Sequence, residues 1–81
     1  MPDDLLKLPT PRVVVDGRDM QPPEPLEKTL EGLDQLAEGE ELLLLIYCHP
    51  VPLFNILRNN GYAWQEEVRE DGTHEIRIRR A

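Results

Sequence analysis

Serine is absent from this 81-residue chain, cysteine occurs once and histidine only twice. Without serine there is no serine nucleophile, and the single Cys48 cannot form an internal disulfide. Cys48, His49 and the distant His74 lack the spacing of a zinc motif, and there is no Cys-x-x-Cys-His signature for haem. The many carboxylates show no catalytic pattern. We therefore expect no metal, no cofactor and no enzymatic activity.

Basic residues are also scarce, since nine face sixteen acidic ones and the formal net charge is -7. This sign disfavours phosphates and anionic lipid headgroups, and hence nucleic acid and membrane surfaces as partners. The longest unbroken apolar run, residues 42–48, is too short to cross a bilayer, and the start of the chain does not resemble a signal peptide. We expect a cytoplasmic protein.

The chain divides into an arm and one domain. Residues 1–11 are interrupted by prolines and show no periodicity, which predicts an extended N-terminal arm. Residues 12–81 form a domain whose core must be thin, because a chain of this size buries only about 60% of its unfolded surface. Its first strand is predicted at residues 12–16, which include three consecutive valines.

Two helices are predicted, each opened by prolines. Proline fixes φ near helical values and is tolerated in the first turn, where its missing N–H has no partner. The first helix follows the proline cluster at residues 22–25 and ends by Gly39, with one apolar face: Leu26, Leu30, Leu33 and Ala37. The second runs from Pro50 to residues 59–61, with these core residues: Leu53, Phe54, Ile56 and Leu57.

The remaining elements are strands. Residues 42–47 are uniformly apolar and predict a strand buried on both faces. Residues 62–69 and 73–79 alternate around a tight turn and predict a hairpin, with Tyr62, Trp64 and Val68 on one face. The order β-α-β-α-β-β with right-handed crossovers predicts an α/β two-layer sandwich, a mixed four-stranded sheet with both helices on one face.

Several short motifs resemble the TusA/SirA-like family. They are Asp-Gly-Arg at 16–18, Pro-Glu-Pro at 23–25, Glu-Gly-Glu at 38–40, His-Pro-x-Pro-Leu at 49–53 and the closing hairpin. The resemblance covers roughly residues 12–80 and is closest to the uncharacterised branch that carries His-Pro-x-Pro-Leu. It implies the same two-layer sandwich, similar also to the C-terminal domain of a bacterial translation initiation factor.

The chain departs from this family at its reactive residue. The sulfur carriers of the family use a Cys-Pro-x-Pro motif, and Pro22 stands at the position of that cysteine. Proline has no group that can hold a persulfide. The resemblance therefore implies a non-enzymatic binding or interaction module for a protein or small ligand, acting through its helix-start edge: Gln21, Pro22, Pro23, Glu24, Pro25, Cys48, His49 and Pro50.

Cys48 leaves two interpretations open. Beside His49 at a helix start, it could ionise readily and serve as the working thiol of a redox or sulfur-transfer protein. Free cysteine is more often buried, so the expectation we favour is that Cys48 continues the apolar strand.

The second strand also raises the question of a partner. Alternation places Leu43, Leu45 and Tyr47 on the sheet face opposite the helices. An apolar patch there is uncommon in a soluble monomer, so we expect either the N-terminal arm or a second copy of the chain to cover it. In the second case the protein is a homodimer.

Overall fold

A computed structural model describes residues 11–81 as four strands and two helices. They are β1 (Val13–Asp16), α1 (Glu24–Leu33), β2 (Glu41–Ile46), α2 (Val51–Asn59), β3 (Tyr62–Val68) and β4 (His74–Arg80). The predicted element order is confirmed, whereas the predicted arm, apart from Pro11, lies outside the described residues. Neither of the two helices in this part of the chain is long and apolar enough to span a bilayer.

The strands form one mixed sheet in the order β1-β2-β4-β3. β1 and β2 run parallel, and β4 is antiparallel to both of its neighbours, β2 and β3. The closing hairpin therefore docks through its second strand, and β3 becomes an edge. Because β4 runs against β2, its first residue His74 pairs with Ile46, the last residue of β2. The start of β4 thus lies where β2 ends.

One face of the sheet carries the core. Leu42 and Leu44 pair with Ile78 and Ile76, and all four side chains are almost completely buried. Burying a side chain of this size stabilises the fold by about 1.5–3 kcal/mol. Both helices contribute to the same cluster, which confirms the two-layer sandwich with its helices on one face; the helical and following members are Leu33, Leu36, Leu53, Phe54 and Leu57.

Helix α1 ends earlier than predicted. It stops at Leu33, and the N–H of Leu36 donates to the carbonyl of Leu33, a tight turn that directs Leu36 inward. Leu36 is buried and Ala37 is exposed, with its N–H bound to the Glu40 carboxylate at 2.7 Å. The predicted core position at Ala37 is therefore wrong, because the tight turn rather than a continued helix sets which residue faces the sheet.

The apolar face of β3 is also shorter than predicted. Tyr62 and Trp64 pack against the core, but Val68 is 59% exposed at the end of the strand. The residue between them on that face is Glu66, which pairs with Ile76. After Trp64, the residues of β3 on the core-side face are therefore polar or exposed. In α2, Ile56 is only partly buried, unlike its three neighbours in the core.

The opposite sheet face combines the apolar residues predicted there with charged ones. Leu43 and Leu45 lie on this face and pair with Arg77 and Glu75 of β4. Leu45 is buried and Leu43 is half-buried. Tyr47 follows the end of β2 and is exposed. Arg77 bridges the face by contacting Glu41 at 3.3 Å and Glu75 at 3.9 Å. A homodimer through this face stays a prediction, which the oligomeric state in solution tests.

Gly32 allows α1 to approach the sheet. A Cβ at Gly32 would lie 2.6 Å from Leu42 Cδ1 and 3.0 Å from Val13 Cγ1. Leu42 is fully buried, so its side chain can make room only by repacking the core. We expect Gly32→Ala to lower the free energy of unfolding by up to about 2 kcal/mol, the overpacking cost of about 1–3 kcal/mol less the gain of about 1 kcal/mol in helix propensity.

Urea denaturation measures this change, with Glu31→Ala as the matched control. Glu31 is the preceding, exposed residue of the same helix, so its substitution should stay within about 0.5 kcal/mol. Equal or greater stability of Gly32→Ala would contradict the close helix-sheet contact.

Candidate functional site: the helix-start cleft

The two parallel strands bring both helix starts to one edge of the sheet. The N–H of Gly17, just after β1, donates to the carbonyl of Leu45 at 2.7 Å. A Cβ at Gly17 would lie 2.8 Å from Ile46 Cγ2 and 3.2 Å from Pro25 Cβ. The loop after β1 is therefore packed against the end of β2 and the start of α1, and the approach leaves no space for a side chain at Gly17.

A cleft of about 520 Å³ opens between these loops. We call it the helix-start cleft, and its lining residues are Gly17, Arg18, Met20, Pro22, Pro23, Pro25, Leu26, Leu44, Ile46, Tyr47, Cys48, His49, Pro50, Pro52 and Leu53. Six of the residues predicted from the sequence line it: Pro22, Pro23, Pro25, Cys48, His49 and Pro50. The other two, Gln21 and Glu24, are exposed and lie outside this lining.

Five prolines form much of the wall, in two groups at the starts of α1 and α2: Pro22, Pro23, Pro25, Pro50 and Pro52. The peptide bond between Pro22 and Pro23 is cis. Proline rings are apolar, hold φ fixed and offer no N–H. The wall is thus stiff and provides few hydrogen-bond donors, which suits contact with an apolar surface.

Arg18 is the one guanidinium in the lining, and its charge is already paired. Its Nε and Nη2 donate to the two carboxylate oxygens of Asp16 at 2.8 and 2.7 Å, and its backbone N–H donates to Asp16 Oδ1 at 3.2 Å. These hydrogen bonds, led by that of the Arg18 side chain, lower the pKa of Asp16 to about 2. Within the Asp-Gly-Arg motif, Asp16 therefore neutralises the positive charge of Arg18 at this corner of the cleft.

Cys48 is exposed and lines the cleft. The expectation that it continues a buried strand is wrong, because β2 ends at Ile46 and the chain bends before Pro50. Within residues 11–81 no hydrogen bond reaches its sulfur, and the neighbouring imidazole of His49 is bound to Glu66 instead. The thiol is accessible, but no side chain in the described part of the chain acts on it as a base.

His49, Glu66 and His74 form a polar cluster, of which His49 also lines the cleft. Nδ1 of His49 lies 2.9 Å from a Glu66 carboxylate oxygen, and Nδ1 of His74 lies 2.7 Å from Oε2 of the same group. The sheet order explains the meeting, since His74 begins β4 beside the end of β2 and Glu66 lies on the adjacent β3. The sequence analysis treated the two histidines as distant and did not single out Glu66.

The environment of Glu66 favours its charged form. Burial of the carboxylate raises its pKa, but the hydrogen bonds with His74 and His49 outweigh burial, so the pKa lies below its ordinary value. The signal for Glu66 was available in the alternation of β3, where it shares the face of Tyr62 and Trp64. A carboxylate on a core-side face needs a partner, which is the clue that sequence reasoning missed.

Aromatic contacts hold the His49 ring in place. Its edge meets Phe54 at a centroid distance of 4.8 Å, and Phe54 stacks on Trp64 at 4.9 Å with an interplanar angle of 8°. Arg58 lies over Trp64, 5.8 Å from the ring centroid. The start of α2 is thereby joined to β3 through side chains on both elements. His49, at the end of this row, belongs to both the cleft and the polar cluster.

A second concavity of about 590 Å³ lies on the opposite sheet face. Its lining is dominated by charged residues, and some of these pair with one another, as Arg77 does with Glu41 and Glu75. The helix-start cleft is instead walled by apolar groups. Apolar walls with a few polar groups are typical of ligand sites, so the cleft is the better candidate.

Comparison with known proteins identifies the fold and a family. The family model described as "Uncharacterized conserved protein (DUF2249)" matches residues 14–80. The crystal structure of a SirA-like protein from Desulfitobacterium hafniense superposes with a TM-score of 0.72 at 19% identity, over 82% of this chain and 93% of that chain. At this identity the likeness shows a SirA-like fold alone. No functionally curated protein matches the chain.

The Asp16–Arg18 pair predicts a measurable titration. Carboxylate NMR should place the pKa of Asp16 at about 2, and Arg18→Gln should raise it toward the ordinary 3.8. Because the folded-state pKa is depressed, any stability from this pair is present above pH 3.8 and is lost as the pH falls toward about 2. Arg12→Gln, which removes the contact with Glu40, serves as the control. An unchanged pKa of Asp16 in Arg18→Gln would show that the pair does not form in solution.

Proposed function

The chain belongs to the DUF2249 family of uncharacterised conserved proteins, and we propose that it is a small non-enzymatic binding module whose ligand site is the helix-start cleft. The resemblance to sulfur carriers supports a binding role without their chemistry. At the position where that resemblance places the persulfide-carrying cysteine, this chain has Pro22. The SirA-like fold is kept, and the reactive group at the start of α1 is not.

The observation that carries the proposal is the stiff apolar wall of the cleft. Its volume of about 520 Å³ lies within the range of small-molecule sites. Tyr47 is 59% exposed at its edge, an aromatic side chain left in water beside an apolar concavity. Exposed apolar surface of this kind in a soluble domain is typical of an interaction site.

The charges around the cleft indicate the chemistry of the ligand. Arg18 is bound by Asp16, and His49 is bound by Glu66, so neither offers an unopposed positive charge. A strongly anionic ligand would also face the net charge of the chain, -7. An uncharged, largely apolar small molecule or an apolar segment of a partner protein fits these walls best.

A panel of uncharged aromatic and aliphatic fragments, followed by backbone amide NMR, tests the proposal. We expect shifts at residues 17–26 and 46–53, the segments that form the cleft. Tyr47→Ala should weaken fragment binding several-fold because it removes an exposed lining side chain, whereas Val51→Ala should not. Val51 is a matched control, since it is also apolar and 52% exposed but lies outside the lining.

Two results would count against a binding cleft. Fragment shifts confined to the opposite sheet face, around Gln65 and Arg77, would move the site to the charged concavity. Equal loss of binding in Tyr47→Ala and Val51→Ala would show that the effect is unspecific.

A second candidate function uses Cys48 as a working thiol in redox or sulfur transfer. The specific observation in its favour is that Cys48 is exposed in the cleft instead of buried in the sheet. Against it stands the absence, within residues 11–81, of a base or cation bound to the sulfur. Reactive cysteines depend on such groups to populate the thiolate.

Alkylation by iodoacetamide between pH 6 and 9 separates the two functions. For a binding module, the folded protein should react no faster at pH 7 than the urea-unfolded chain, and Cys48→Ser should keep fragment binding within about twofold. For a working thiol, the folded rate should exceed the unfolded rate by about tenfold or more, because a stabilised thiolate is the reacting species. Such an acceleration would favour the second candidate.

A further inference from the structure

We propose that His49, Glu66 and His74 form a binding site for a divalent transition-metal ion of the Zn²⁺ type. Nδ1 of each histidine and one carboxylate oxygen of Glu66 would be the protein ligands. The inference rests on the polar cluster alone and does not depend on what the helix-start cleft binds.

The donor set is the first argument. Two imidazoles and one carboxylate are the protein ligands of catalytic zinc sites and of non-haem iron sites. Mg²⁺ and Ca²⁺ prefer oxygen ligands throughout and are disfavoured here. Three protein ligands leave a fourth position for water or a small molecule, and His49, whose side chain is 54% exposed, leaves the site accessible from solvent.

The geometry is the second argument. One ring nitrogen of each histidine and one carboxylate oxygen of Glu66 all lie within 4.8 Å of one another. In a tetrahedral zinc site with bonds of about 2.0–2.1 Å, neighbouring ligand atoms are roughly 3.3 Å apart. The contacts of 2.7 and 2.9 Å to Glu66 must therefore open slightly while the histidines close in. His49 lies before α2 and outside any strand, so a small shift of this segment that keeps the contact with Phe54 allows this adjustment.

The third argument is the convergence itself. Pairing of one carboxylate requires one donor, yet the only two histidines of the chain both meet Glu66. They approach from different elements, one before α2 and the other at the start of β4. Glu66 and His74 are 19% and 18% exposed and sit on adjacent hydrogen-bonded strands, which hold two of the ligands in fixed positions.

Metal binding requires the histidine protons to move. In the hydrogen-bonded cluster each Nδ1–H donates to Glu66. With an ion bound, both Nδ1 atoms present lone pairs to it and the ring protons reside on Nε2, a tautomer that neutral histidine can adopt. The edge contact of His49 with Phe54 keeps the ring near the site in either form.

Calorimetric titration of the untagged, metal-free protein with Zn²⁺ at pH 7.5 tests the site. We expect saturable binding of one ion per chain. Glu66→Gln and His74→Asn should each weaken it by more than the roughly 10–100-fold that loss of an outer-shell group costs. The matched control is Glu67→Gln, the next residue on the opposite face of β3, which should bind within about twofold of the parent.

NMR of the imidazole rings gives a second readout that does not depend on folding of the variants. Because the chain has two histidines, both sets of ring signals should shift together at one equivalent of Zn²⁺.

His49→Ala is the third variant for the calorimetric titration, chosen because the exposed ring of His49 is the least needed for the fold. Circular dichroism checks that each variant keeps its structure.

Three results would overturn the site. One is the absence of saturable binding up to about 1 mM Zn²⁺, an affinity too weak to be meaningful. Another is binding that folded Glu66→Gln and His49→Ala retain at the parent's affinity. The third is binding that survives Glu66→Gln but is lost in Cys48→Ser, because the ion would then be held by the thiol elsewhere in the cleft.

Discussion

The parallel pairing of β1 and β2 is the constraint on which the rest of the molecule depends. It sends both chain segments out of the sheet at one edge, and the hydrogen bond from Gly17 to Leu45 holds the loop after β1 against the end of β2. Each loop then leads directly into a helix. The antiparallel docking of β4 on β2 adds the start of a third element to the same edge. The cleft and the polar cluster are both consequences of this one meeting point.

The prolines convert that meeting point into a stiff surface. A helix start normally exposes backbone N–H groups, which attract anions and stabilise thiolates. Here Pro23 and Pro25 flank the first helical residue, Glu24. The carboxylates of Glu24 and Glu27 occupy the first turn and complement the positive end of the helix dipole. The start of α1 therefore offers few free N–H donors, and its positive end is already complemented by carboxylates.

Periodicity was enough to predict the six elements, because helices and strands in a thin core must each bury one face. The features that the sequence did not reveal depend on how the elements end and pack against one another. A hairpin can dock through either strand, and only docking through β4 brings His74 to His49. The end of β2 decides whether Cys48 is buried, and the turn after Leu33 decides whether Leu36 or Ala37 faces the sheet. Glu66 was readable from alternation as a polar residue on an apolar face, but its partners were not.

His49 belongs both to the helix-start cleft and to the polar cluster, and it helps to compensate the charge of Glu66 near the core. A carboxylate such as Glu66, 19% exposed beside Trp64, is costly unless it is compensated. Two imidazoles offset that cost, and one of them also belongs to the wall of the cleft. Anything that moves the His49 ring therefore acts on the Glu66 cluster and on the shape of the cleft together. Phe54 and Trp64 limit that movement, so the two sites share one stiff wall.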